Sequence, residues 1–293
     1  MDATVIDRPH AEERTAPPKV SDRWLHQETW AASRAHVQRD EKLLMATHFA
    51  EHDFLLQYAA NPATSDRENT ASILVNQGTC PNTVVGASLQ WIKVNAGQGP
   101  FHITWYSPGA LVPATLFEFR QENPDLSVST HIHLLPGTVD LQLQAQIGIE
   151  AQEYVRKLTR QFSYMLLSGH SFDLDTGDVK FHFDREVPIQ RTCALLKATE
   201  KYLFFDSKKF TGEGEVGYSL GDLLGTSHSV VVYTVASDRN DEICAAFAAR
   251  AEALLSKEPS QAGSGRAKSL RLTIVGREGS SSRTFVYEGF LKA

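Results

Sequence analysis

Residues 201–210 read KYLFFDSKKF, and this stretch decides the fold class. From Tyr202 to Phe205 the run is continuously apolar, the pattern of a strand covered on both faces within a parallel sheet. It ends on Asp206, Ser207, Lys208 and Lys209, a polar turn. In open parallel sheets ligands bind outside the carboxyl ends of the strands. An Asp and a Lys at that point are suited to hydroxyls and phosphate together; a solvated turn with a surface charge pair carries the same residues.

Similar runs occur at 72–76, 102–106, 127–135, 163–168 and 229–235, with helical patterns between them. Residues 144–158 place Ala145, Gly148, Gln152 and Val155 on one stripe, and residues 241–255 bring Ile243, Phe247 and Leu254 together. Strands separated by helices of this length imply βαβ crossovers. The expected fold is α/β: a mainly parallel, Rossmann-like sheet with helices on both faces, plus a C-terminal β-hairpin. The hairpin strands fall at 270–275 and 284–290, joined by the turn-rich GREGSSSR. Upstream, a helix is expected over 27–58 with Leu43, Ala46, Ala50 and Phe54 on one face, followed by a loop over 59–70.

Residues 1–22 are polar and contain proline, as a disordered tail does. Residues 257–268, KEPSQAGSGRAK, read as a linker or long loop. The expected organisation is a tail at 1–22, an α/β domain at 23–256, the linker, and terminal strands at 269–293 packed on the same domain.

A chain of 293 residues with 42% hydrophobic content is long enough to bury a substantial core. The formal charge of −6 and the lack of a long Lys/Arg run argue against a nucleic-acid partner. The three cysteines, Cys80, Cys193 and Cys244, are far apart and odd in number, which fits a reducing cytoplasm better than a disulfide framework. The first residues have no apolar segment of the secretory kind, and no apolar run is long enough for a membrane span.

Three further segments bear on chemistry. Asn76-Gln77-Gly78-Thr79-Cys80-Pro81-Asn82-Thr83 lies between a strand and a helix. Free N–H groups and the helix dipole favour an anion there, and Gly permits close approach; an ordinary βα turn looks the same. Cys80 beside a helix N-terminus is a candidate for a lowered pKa, although no partner His is evident and a buried thiol reads equally well. Ser168-Gly169-His170-Ser171-Phe172-Asp173 also follows a strand, and His170 is a candidate acid–base group or a structural histidine. His131 and His133 point to one face of a strand, but no Cys, Asp or Glu cluster nearby completes a metal site.

Taken in order, these motifs resemble a known family. The chain has Glu41-Lys42 opening a helix, then Gly78-Thr79, then a strand ending Tyr106-Ser107, then Leu134-Leu135-Pro136-Gly137. Gly148 follows at a helix start, then Gly169, Asp173 and Gly177, then Asp206-Ser207-Lys208-Lys209-Phe210. From about Lys42 to Leu255 this resembles the C-terminal sensor domain of DeoR-type regulators, which share a fold with ribose-5-phosphate isomerase, glucosamine-6-phosphate deaminase and CoA transferases. The resemblance implies a pocket for a phosphorylated metabolite formed by Gly78, Thr79, Cys80, Asn82, Ser107, Gly137, Gly169 and Lys209.

The sequence departs from that pattern in several places. Cys80-Pro81 replaces two hydroxyl residues of the phosphate loop, Trp105-Tyr106-Ser107 keeps one residue of a Thr-Asn-Ser segment, and Pro136-Gly137 replaces a double Gly. Lys208 stands where Ser is usual, and Tyr233-Thr234-Val235 lacks an Asp. No winged helix-turn-helix is legible before Glu41, so direct DNA binding is not expected despite the family's role in transcription regulation.

The expectation is a sugar-phosphate-binding sensor, cytoplasmic and homo-oligomeric, with no cofactor, no metal and no membrane or nucleic-acid contact. The alternatives are an enzyme of the same fold, an isomerase, deaminase or lyase acting by proton transfer through Asp173, Asp206, His170 or Glu186, and a non-catalytic partner subunit.

Overall fold

The computed structural model describes residues 38–54, 70–95, 101–126, 128–255, 268–276 and 279–286. The tail at 1–22, the ends of the helix expected over 27–58, most of the loop at 59–70 and nearly all of the linker at 257–268 lie outside the described residues.

Parallel strands carry the architecture: β1 (Thr70–Val75), β2 (Phe101–Ser107), β3 (Val128–Leu134), β6 (Phe162–Leu167), β9 (Ala198–Phe204), β11 (Ser227–Val235) and β12 (Ser269–Gly276). Two short strands, β4 (Thr138–Asp140) and β5 (Ala145–Ile147), form a separate antiparallel pair. Another small antiparallel sheet joins β7 (Ser171–Phe172), β8 (Asp178–Phe181) and β10 (Glu215–Ser219). The final strand β13 (Gly279–Val286) runs antiparallel to β12 and completes an eight-stranded sheet in the order β13-β12-β11-β9-β6-β1-β2-β3.

That order has one reversal. The chain steps outward from β1 through β2 to β3, then returns to place β6 on the other side of β1 and continues through β9 and β11 to β12. Right-handed crossovers on either side of such a switch put their helices on opposite faces. The core divides accordingly. On one face lie α1 (Arg39–His52), α2 (Thr79–Val94) and α3 (Leu111–Glu122), with Phe49, Val85, Leu89, Leu116 and Phe119 packed against Ile73, Trp105 and Phe204. On the other lie α4 (Ile149–Arg156), α5 (Val187–Ala194), α6 (Leu220–Gly225) and α7 (Asn240–Leu255), with Val155, Ile189, Leu223 and Phe247 against Met165, Leu203 and Val232. Burial on both faces is why the central strands read as unbroken apolar runs.

Three expectations need correction. Leu43 is 52% exposed; Met45 and Phe49 take the buried side of α1 beside Ala46 and Ala50. The helix expected over 144–158 begins at Ile149, because Gln144 (φ 55) and Gly148 (φ 99) leave the helical region and residues 145–147 pair as β5. The terminal turn is tighter than GREGSSSR suggested: Gly276 pairs with Gly279, and Ser280 to Arg283 already belong to β13.

Candidate functional site

The reversal between β1 and β6 is where an open parallel sheet leaves a crevice at the carboxyl ends of its strands. A cleft of about 70 Å³ lies at these ends, lined by Gln77, Gly78, Thr79, Leu111, Leu143, Ser168, Gly169, His170, Phe181, Glu186 and Lys209. The first three follow β1 and the next polar group follows β6.

The turn after β1 is shaped by Gly78, whose φ of 147° and ψ of 156° suit glycine alone. It delivers the chain into the first turn of α2. Pro81 has no N–H to offer in that turn, so Thr79 and Cys80 supply the first-turn N–H groups that no intrahelical carbonyl satisfies. The sixteen-residue length of α2 gives its dipole full effect at that end.

After β6, Ser168 Oγ donates to the carbonyl of Phe204 at 2.8 Å. A Cβ on Gly169 would come within 2.5 Å of Val179 Cγ1 and 2.9 Å of the Lys180 carbonyl, so only glycine fits between β6 and β8. His170 follows, its N–H donating to the Lys180 carbonyl at 2.8 Å and its ring 4.9 Å from that of His182.

Lys209 arrives from a third strand. β9 runs through Phe205 and Asp206 into a 3-10 turn, Ser207–Lys209. The Lys209 amino group donates to the Gly169 carbonyl at 2.8 Å and to Ser168 Oγ at 3.1 Å, and lies 3.8 Å from Cys80 Sγ. Two of its three protons thus have firm oxygen acceptors, and the sulfur is a weak third. Glu186 reaches the cleft from the 3-10 turn before α5. It is 7% exposed, and one carboxylate oxygen accepts from the Phe183 N–H at 3.3 Å.

Of the residues singled out in the sequence, Gly78, Thr79, Gly169, His170, Glu186 and Lys209 line one cleft. The others sit around it. Cys80 is buried under Lys209; burial pushes its thiol pKa up, more than Lys209 pulls it down, so the reading of a lowered pKa gives way to that of a buried thiol. Asn82 accepts from Thr115 Oγ1 at 3.0 Å, which ties α2 to α3. Ser107 is buried at the end of β2, its Oγ accepting from the Gly109 N–H at 3.0 Å. Gly137 (φ 136°) precedes β4 and would place a Cβ 2.8 Å from the Ile147 carbonyl, so its role is the close approach of the chain to the end of β5, where Thr138 pairs with Ile147. Asp206 is 4% exposed and does not line the cleft.

Asp173 is placed outside the cleft too, in the turn between β7 and β8. Its carboxylate accepts from the N–H groups of Asp175 and Thr176 and pairs with Lys180 at 3.0 Å. Burial works to raise its pKa, but the Lys180 and Thr176 hydrogen bonds prevail and hold it below the usual value.

Gln77, Ser168, Leu111, Leu143 and Phe181 complete the lining. Gln77 and Ser168 adjoin glycines that were legible in the sequence. The Leu and Phe residues come from three separate elements and carry no signal of their own. His131 approaches Ser129 Oγ at 3.1 Å, and the His133 ring stacks on Tyr106 at 4.6 Å. Among the described residues no group of three or more His, Cys, Asp or Glu is arranged to hold a metal ion, and no helix is long and apolar enough to cross a membrane.

No protein-family model matches the sequence, and no curated protein matches it. Solved structures with a similar chain path include one from the tetrameric eIF2B-β2-δ2 complex of C. thermophilum, at 12% identity over 62% of this chain and 47% of that one, TM-score 0.32. Others are 6-phosphogluconolactonase from Trypanosoma brucei (8% identity, 68% of this chain and 80% of that one, TM-score 0.34) and a putative 6-phosphogluconolactonase from Neisseria gonorrhoeae FA 1090 (12% identity, 74% and 87%, TM-score 0.35). The aligned part spans about half the length of the eIF2B chain.

Proposed function

We propose that the chain binds a small phosphorylated metabolite, a sugar phosphate or close relative, in the manner of a DeoR-type sensor module. The observation that carries this reading is the Lys209 amino group held beside the first turn of α2, at the switch point of the sheet. A phosphate there meets the N–H groups of Thr79 and Cys80, the Thr79 hydroxyl and the helix dipole. It also replaces the weak Cys80 sulfur as the third acceptor of Lys209, a charge-assisted contact. The narrow cleft favours a compact ligand. In this reading the metabolite is the direct partner, rather than nucleic acid or a membrane, and the working form is a cytoplasmic homo-oligomer.

The test is thermal stabilisation by triose, pentose and hexose phosphates beside the same sugars without phosphate. A true ligand at about 100 times its Kd adds about 2.7 kcal/mol of stability. Stabilisation by phosphorylated compounds alone supports the reading, and none across the panel overturns it.

A second reading, catalysis by proton transfer, is favoured by His170 and Glu186 lining the same cleft. A carboxylate and an imidazole within reach of one bound substrate suit general acid–base chemistry. Asp173, engaged by Lys180, and Asp206, set back from the cleft, fit that role less well. Turnover of a stabilising sugar phosphate, abolished by His170→Asn or Glu186→Gln, would establish this reading over simple binding.

A further inference from the structure

We infer that Glu41 is a positioning residue for Lys209, acting across the fold through the turn that presents the lysine. The inference rests on Lys209 being the phosphate-binding cation.

Short 3-10 turns leave their first N–H groups unsatisfied, and an Asp at the cap normally accepts from them. Asp206 stands at the cap of the Ser207–Lys209 turn with extended backbone, yet its side chain makes no capping hydrogen bond. The cap comes from α1 instead. Glu41 Oε2 accepts from the Ser207 N–H at 2.8 Å and Glu41 Oε1 from the Ser207 hydroxyl at 3.0 Å. The carboxylate is itself oriented by Gln38 Nε2, which donates to Oε1 at 2.7 Å. Two oxygens therefore grip both donors of one residue, a bidentate contact that fixes direction as well as distance.

Lys209 is two residues further on, its N–H closing the turn on the Asp206 carbonyl at 3.0 Å. The orientation set at Ser207 is thus passed to the Lys209 backbone, and from there to an amino group that must meet Gly169 and Ser168 together. Without the Glu41 clamp the turn swings about Asp206, and the ammonium spends less time at the first turn of α2.

Direct electrostatics and positioning predict opposite signs. A carboxylate acting on a bound anion through its charge alone repels it, so its removal tightens binding. A clamp for Lys209 does the reverse.

The experiment is calorimetric titration of inorganic phosphate into the wild-type chain and into Glu41→Ala, Glu41→Gln, Ser207→Ala, Lys209→Met and the Glu41→Ala/Lys209→Met double variant. The expected result is that Glu41→Ala weakens binding by roughly tenfold, the scale of one lost charge-assisted hydrogen bond. Glu41→Gln, which keeps one acceptor oxygen at the same reach, returns to within about threefold of wild type. In the Lys209→Met background Glu41→Ala adds no further loss, because both changes act on one group. Should Glu41→Ala not fold, Ser207→Ala, which removes a single arm of the clamp, carries the test with an expected loss of about twofold to threefold. Unchanged or tighter binding in Glu41→Ala, or losses that add in full in the double variant, overturns the positioning role while leaving the phosphate reading intact. Unchanged binding in Lys209→Met overturns both.

Discussion

Lys209 donates its amino group to the main-chain oxygen of Gly169 at 2.8 Å, so a residue after β9 is latched to the loop after β6. That latch sets the cation where the first turn of α2 opens. Lys209→Met removes the charge and keeps most of the length. Phosphate affinity should fall by tenfold or more, since hydrogen bonds to charged groups contribute about 1.5–3 kcal/mol. Calorimetry on the folded variant checks this.

Gly78 is the second requirement. With φ at 147° a side chain is strained, and a Cβ would lie 3.3 Å from Pro81 Cδ. Gly78→Ala should lower stability by about 1–3 kcal/mol and reduce phosphate binding, because relieving the strain turns the Thr79 N–H away. Urea denaturation gives the first effect and titration the second.

Glu186 shares the cleft with Lys209. As a like charge near a bound phosphate it opposes binding, so Glu186→Gln should tighten inorganic phosphate by up to about fivefold, the effect of an ionic contact worth about 1 kcal/mol in a site open to solvent. The same variant should lose any turnover of a sugar phosphate. Tighter binding together with lost turnover would separate a catalytic role of this carboxylate from an electrostatic one.

Lys201 sits fully buried on β9, donating to the Ala194 carbonyl at 2.7 Å and to Thr226 Oγ1. Burial lowers its pKa from 10.5 to about 7, against a weaker upward pull from Asp222. Between those values the unfolded chain holds a proton that the folded chain does not, so stability rises with pH across that window and levels off below it. Lys201→Met should abolish that rise. Near neutral pH it should also be as stable as wild type or more so, by up to about 4 kcal/mol, as when apolar groups replace buried charges. Denaturation midpoints between about pH 7 and about pH 9 test the sign.

The large sheet was readable because burial on both faces leaves continuous apolar runs, as at Tyr202 to Phe205 and Val230 to Val235. The small strands were not. β7 has two residues, and β8 needs β10 and β7 beside it before its alternation means anything. Asp173 illustrates the cost: a carboxylate after a strand looks poised for chemistry until the hairpin brings Lys180 to it. Glycines and polar groups at the strand ends, Gly78, Thr79, Gly169 and Lys209, announced the cleft. Its apolar walls, Leu111, Leu143 and Phe181, did not, because each belongs to a different element and resembles any other core residue. The grip of Glu41 on Ser207 spans 166 positions, a distance over which periodicity carries no information.

The most direct measurement is a crystal structure of the protein with inorganic phosphate at a concentration that saturates it in solution. The expected result is an anion within about 3 Å of both the Thr79 N–H and Lys209 Nζ, with Lys209 still bonded to the Gly169 carbonyl. A fully occupied anion elsewhere on the chain, or an empty cleft at that concentration, would contradict it.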